Sequence, residues 1–163
     1  MIRIRITRTR RDDPLSCARD ILRSRGMRLE KRFMQHGRVS CFEHSLRVAR
    51  LSARLARLLP VRVHMRSLVR GALLHDYFLY DWHETDGGAH RRHGFTHAAR
   101  ALANARRDFR LNRIERDIIE KHMFPLNLTP PRFTESWIVT LADKLCAAGE
   151  VFSAWRQKLT GRR

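Results

Sequence analysis

Six residues of this chain carry side chains suited to metal chemistry where a helix would ordinarily keep apolar ones. They are His44 in "FEHSLRVAR", His75 and Asp76 in "GALLHDYFLYDWH", His97 in "THAARAL", His122 in "IIEKHMFP" and Asp143 in "LADKL". Burying an unpaired carboxylate is costly, so such groups must be hydrogen-bonded, stand at a helix end, or bind a cation. Taken singly, a histidine on an apolar face is more often a hydrogen-bonded core residue than a ligand. Taken together, the six leave buried charge uncompensated without a cation, whereas four neutral imidazoles and two carboxylates balance two divalent metals. Donors of this kind suit iron, manganese, cobalt, nickel or zinc better than calcium.

The elements that must position them are helical. Residues 1–13 alternate Ile with Arg or Thr, but no second strand lies nearby to pair with them, and they read as a flexible basic arm. Pro14 opens a short helix that Gly26 stops, and a second short helix covers 28–35. Ser40 and Glu43 form a capping box for a long helix that carries His44 and ends at Pro60. A helix from about Met65 to Phe78 is apolar on nearly every side, so it is expected to be central, and it carries His75 and Asp76. After a polar, Gly-rich loop, a helix over 96–107 starts with His97. Asn112 and Glu115 open the next, which places Ile114, Ile118, Ile119 and His122 on one face. Thr134 is the expected cap of the last helix, with Ile138, Leu141, Ala142, Leu145 and Ala148 inward and Asp143 beside them. With no internal repeat and no convincing sheet, the expected fold is an all-α, single-domain helical bundle of about six to eight helices. Its expected organisation is the arm at 1–13, N-terminal helices at 14–35, the main domain at 36–155 and a basic tail at 156–163.

Composition bounds the ligand. A chain of 163 residues, 43% of them hydrophobic, supports one domain with a proper core. The net charge of +18 comes from 34 basic residues, all but four of them arginine, and favours anionic ligands. The arginines are spread along polar helix faces rather than clustered, which reads first as a generally basic surface and second as weak nucleic-acid affinity. Cys17, Cys41 and Cys146 have no metal-like spacing and read as core thiols of a reducing compartment. There is no apolar leader and no run of membrane-spanning length, so a soluble cytoplasmic protein without a membrane partner is expected.

The ordered set His44, His75-Asp76, Asp143 resembles the signature of the HD superfamily of metal-dependent phosphohydrolases, and the segments around each residue agree as well. The resemblance covers roughly residues 36–152. His97 and His122 stand where some HD families hold a second metal. The chain is thus similar to the dinuclear branch, which includes cyclic-dinucleotide phosphodiesterases and symmetrical dinucleoside polyphosphate hydrolases. The resemblance implies an HD-type fold, two divalent transition metals (iron or manganese, with zinc, cobalt or nickel as alternatives), and a phosphomonoesterase or phosphodiesterase. The implied substrate is a small anionic phosphate ester or anhydride, in particular of a nucleotide. Many relatives carry a lysine three residues after the paired aspartate, where this chain has Leu79. A cation for the substrate phosphate must then come from elsewhere, and Lys121, Lys144, Arg91 and Arg92 are the candidates. The "GYP" motif of the cyclic-di-GMP enzymes is absent, which argues against that activity.

In a dinuclear site Asp76 is the natural bridge, giving one carboxylate oxygen to each metal. His44, His75 and Asp143 would complete one site, and His97 and His122 the other. Two metals about 3.5–4 Å apart can hold a bridging hydroxide and stabilise an in-line displacement at phosphorus. His93, four residues before His97, is either a proton donor or phosphate contact at the mouth of the site or a solvated loop residue. Trp82 either stacks on a base or only closes the core. The alternative reading is a nucleic-acid-binding or structural HD module without turnover, which would lose affinity for RNA or DNA steeply with added salt and form no product.

Overall fold

The computed structural model of the chain describes residues 13–36, 39–81 and 93–160. Residues 1–12 of the expected basic arm, and Trp82, Arg91 and Arg92, lie outside the described residues, as does the side chain of His93. A 3-10 helix, Pro14–Ala18, leads into α1 (Arg19–Leu22) and α2 (Arg25–Leu29); β1 (Met34–His36) and β2 (Val39–Ser40) follow. The rest is α3 (Cys41–Leu58), α4 (Met65–Leu74), α5 (His93–Asp108), α6 (Arg113–Lys121) and α7 (Thr134–Leu159). The fold is all-α, as the pattern predicts, with one small departure. Met34 pairs with Ser40 and His36 with Val39 in an antiparallel ribbon, where a helix over 28–35 and no sheet were expected. Gly26 is likewise no stop. It lies inside α2, which Ser24 caps by accepting from the Met27 N–H, and a Cβ at this position would fall on the ring and hydroxyl of Tyr77. Glycine is there for close approach.

The capping box of α3 is formed as expected: Ser40 Oγ accepts from the Glu43 N–H (3.3 Å) and Glu43 Oε2 accepts from the Ser40 N–H (3.2 Å). Leu59 turns extended before Pro60, which disfavours helical backbone in the residue preceding it. The inner face of α3 is built from small residues, Ser45, Ala49, Ser52, Ala53 and Ala56, with His44 and Val48, while Leu58 and Leu59 are exposed. Small side chains let α4 lie close against α3. α4 is central, as its apolar surround predicts: it packs against α3, α5, α6, α7 and the 3-10 helix, and everything from Ser67 to Phe78 is buried.

Three boundaries differ from expectation. α4 stops at Leu74, with His75 as its C-cap and Asp76 to Phe78 in a turn. Asn104 of α5 pins that turn by donating to the Tyr77 (3.1 Å) and Phe78 (2.8 Å) carbonyls, and Leu79 leaves it at φ 60°, uncommon for a branched residue. α5 begins at His93 rather than 96. Thr134 is not the cap of α7. Phe133 takes that position without a side-chain bond, and tertiary contacts hold the helix start instead: Ser136 Oγ donates to Asp117 Oδ2 (2.7 Å), and Glu135 Oε1 accepts from the His64 N–H (2.6 Å). The inward stripe of α7 is also rotated from the expected one. Ile138, Val139, Ala142, Asp143 and Glu150 are buried, whereas Leu141, Leu145 and Ala148 are exposed. Asp143 and Glu150, two turns apart, both bond His44 and set that rotation. No helix among the described residues is long and apolar enough to cross a membrane.

Candidate metal centre

The six residues singled out by type and context converge. His44 comes from the first turn of α3, His75 and Asp76 from the C-terminal end of α4, and His97 from the start of the second turn of α5. His122 is the C-cap of α6, and Asp143 lies in the third turn of α7. All six are buried, between 0% and 9% exposed. Their donor atoms form two groups compact enough for one ion each: His44, His75 and Asp143; and Asp76, His97 and His122.

Asp76 faces both groups. Its Oδ2 lies 3.3 Å from His75 Nε2 and 3.9 Å from His44 Nε2, and its Oδ1 lies 3.3 Å from His97 Nε2 and 3.5 Å from His122 Nε2. Asp143 Oδ1 stands 3.0 Å from His44 Nε2 and 3.5 Å from His75 Nε2. One carboxylate thus turns one oxygen to each triad, the arrangement expected of a bridging ligand.

The far nitrogens show what the site requires. His75 Nδ1 donates to the Ala72 carbonyl (2.8 Å) and His122 Nδ1 to the Ile119 carbonyl (2.9 Å). A carbonyl only accepts, so in each neutral ring the proton is on Nδ1 and Nε2 presents a lone pair. His44 Nδ1 is held in the same way by Glu150 Oε2 (3.0 Å), whose other oxygen takes Arg47 Nη1 (3.1 Å). Lone pairs on nitrogen therefore point at lone pairs on oxygen. His75 Nε2 and Asp76 Oδ1 are buried and have no hydrogen-bond partner among the described residues. Divalent metal matches this donor set: it satisfies imidazole and carboxylate lone pairs together and neutralises buried carboxylate charge.

Protons answer the same demand. Burial works to pull the imidazolium of His44 down, but its bonds to Asp143 and Glu150 outweigh that and hold its pKa at about 9. His75 is likewise raised, its burial overcome by Asp76 and Asp143. Burial pushes Asp76 up, and the surrounding His75, His122 and His97 overcome it and hold the carboxyl well below its usual range. Burial prevails at His122, whose pKa is lowered. Metal and proton compete for the same lone pairs.

A cavity of about 580 Å³ opens onto the second triad. Asp76, His97, His122, Asp143 and Gln35 form its polar floor, Met123, Pro125, Leu126 and Ala147 its apolar wall, and Lys144 stands at its side. Lys144 Nζ also donates to the His122 carbonyl (3.2 Å). Lys121 is engaged elsewhere: its ammonium is buried 2.7 Å from Asp117 Oδ1 and does not line the cavity.

Three residues at the site are not among those expected from sequence. Gln35 on β1 donates from Nε2 to Asp76 Oδ2 (2.6 Å) while its Oε1 accepts from Cys41 Sγ (3.3 Å). Glu30 is fully buried with neither oxygen bonded among the described residues, and burial, reinforced by the charge of Asp76, raises its pKa well above the usual range. Nothing in "RLEKRFMQH" marks either residue. Glu150 was legible in principle: it lies seven residues after Asp143, on the same face of a helix.

Compared with known protein families, the chain matches the HD domain over residues 41–148, and it belongs to the HD domain family. It is thereby a member of the superfamily of metal-dependent hydrolases, with a helical fold and His/Asp clusters that suit divalent metal. Comparisons with curated proteins and with solved structures return no match. Gln35 and Glu150 both fall outside the matched segment.

Proposed function

We propose that the chain is a metal-dependent phosphohydrolase that cleaves a small anionic phosphate ester or anhydride, in particular of a nucleotide. The observation that carries the reading is Asp76, whose two oxygens face two separate triads at the floor of an open cavity. His44, His75 and Asp143 would hold one divalent metal and His97 and His122 a second, with Asp76 shared. Bound there, the metals supply Lewis acidity, acidifying water and neutralising charge on the phosphoryl oxygens.

The chain's own residues do the rest. Glu150, Ala72 and Ile119 hold three imidazoles with their lone pairs inward. The Gln35 amide fixes the plane of Asp76. Lys144 offers the substrate phosphate a positive charge in place of the lysine that Leu79 replaces, and the Met123 to Leu126 wall packs the remainder of the substrate away from water. His93 opens α5 one turn before His97 and is the candidate proton donor to the leaving group.

The test joins metal analysis of anaerobically purified protein to a phosphate-release screen over nucleotides and dinucleotides with manganese or ferrous iron. Asp76→Ala should lose bound metal and, with several kcal/mol of transition-state stabilisation gone, roughly 10³-fold or more in kcat. Full metal content and activity in that variant would overturn the reading. Turnover surviving in a His97→Ala, His122→Ala double variant would reduce the site to one metal. RNA or DNA binding with steep salt dependence and no product would favour the binding module instead.

A further inference from the structure

The bundle buries one side of α7 and leaves most of the other exposed, Trp137 being in edge contact with the Phe124 ring (centroids 5.3 Å apart). Trp137, Leu141, Leu145, Phe152, Trp155 and Leu159 are between 47% and 66% exposed, and Ala148 at their centre is exposed as well. Their spacing of three and four residues keeps them on one stripe, opposite the face that carries Ile138, Ala142, Cys146 and Glu150. Beyond Glu150 the helix leaves the bundle: from residue 151 to 159 only Ala154 is partly covered. A short helical extension bearing four large apolar side chains is not stable in water by itself, and a contiguous apolar patch marks an interaction surface.

The stripe is its own complement. Reversed about Ala148, Trp137 falls opposite Leu159, Leu141 opposite Trp155, and Leu145 opposite Val151, which is 56% exposed. A second copy of α7 running antiparallel about that point therefore sets apolar against apolar at these three pairs of positions on each side of the crossing, the self-complementarity that a two-fold interface demands. The crossing point is small, Ala148 followed by Gly149, and among the described residues a Cβ at Gly149 would touch nothing within 4 Å. Its own fold thus gives no packing reason for a helix-interior glycine, whereas a helix crossing there gains close approach. Lys144 falls opposite Phe152 but takes no part in the apolar pairing, since its ammonium donates to the His122 carbonyl and stands at the cavity. Aromatic side chains bury roughly 150–250 Å² each, so three half-exposed aromatics with their aliphatic neighbours approach the roughly 800 Å² per partner of a standard interface.

We propose that the chain forms a two-fold symmetric dimer through the outer stripe of α7, the two helices antiparallel and crossing at Ala148. Sedimentation equilibrium on the full chain should give twice the 19.3 kDa of one copy. Leu141→Asp and Trp155→Lys should each weaken association by roughly thirtyfold or more, the weight of an interface hot spot, with circular dichroism unchanged because both side chains are half-exposed. The double variant sets opposite charges at facing positions and should recover the dimer. A monomeric wild-type chain overturns the proposal, including one whose stripe inserts instead into phosphatidylserine vesicles. So does a dimer indifferent to both substitutions, and a double variant that stays monomeric overturns the antiparallel register.

Discussion

Glu150 does for His44 what the Ala72 and Ile119 carbonyls do for His75 and His122, and it is the one of the three that a substitution can remove. Partners of this kind typically account for 10–100-fold in metal affinity, so Glu150→Gln should weaken manganese binding by about that factor in competition with a fluorescent chelator. His44 also sets a pH dependence in metal-stripped protein. Its folded pKa, about 9, lies above its ordinary 6.5, so the stability it contributes is complete below 6.5 and is lost as pH rises through about 9. The difference in urea midpoint between wild type and His44→Gln should shrink across that window. The two lysines separate cleanly. Lys144 is exposed at the cavity, so Lys144→Ala should raise KM about tenfold, the loss of one charge-assisted contact, and leave stability unchanged. Lys121→Met leaves the buried Asp117 without its cation, with Ser136 Oγ and the Arg132 N–H still donating to Oδ2, and should cost about 3 kcal/mol in urea denaturation while KM stays near wild type.

At the scale of elements, the site depends on ends of helices rather than on their middles. His44 lies in the first turn of α3 and His97 one turn into α5, His75 and His122 are C-caps, and Asp76 sits in the turn that Asn104 pins. What lies behind that turn matters as much as what faces the cavity. Tyr77 packs on Gly26 and donates to Asp108 Oδ2 (3.0 Å), locking the turn between α2 and α5. Gly26→Ala forces a methyl into the Tyr77 ring and should cost about 1–3 kcal/mol by urea denaturation. Combined with Tyr77→Ala it should cost less than the sum of the two, since the second change removes the clash of the first. Element type and most helix starts were readable because periodicity and capping are local: Ser40 with Glu43 and Asn112 with Glu115 form the boxes their spacing predicts. Thr134 was not, because distant partners hold the start of α7, and neither was the β1–β2 ribbon, whose strands pair within six residues but whose Gln35 is held by the distant Asp76.

Over the whole molecule, charge and apolar surface act in opposite directions as salt is added. With a net charge of +18 per copy, capture of an anionic substrate should weaken, KM rising with ionic strength while kcat changes little. Self-association through α7 should instead tighten, as repulsion between like-charged copies is screened and apolar burial is not. The sequence by itself determined the helical class, the central place of α4 and the identity of the six inward residues, because each rests on short-range pattern or on the cost of burying a polar group in an apolar stretch. Tertiary structure alone decided that Asp76 gives one oxygen to each triad, that Glu150 and Gln35 support the site from outside its motifs, and that Lys121 is spent on Asp117. It also decided which side of α7 faces the core. Those outcomes depend on how helices far apart in sequence rotate against one another, and the two carboxylates reaching for His44 turn α7 to bury Asp143 and expose Leu141.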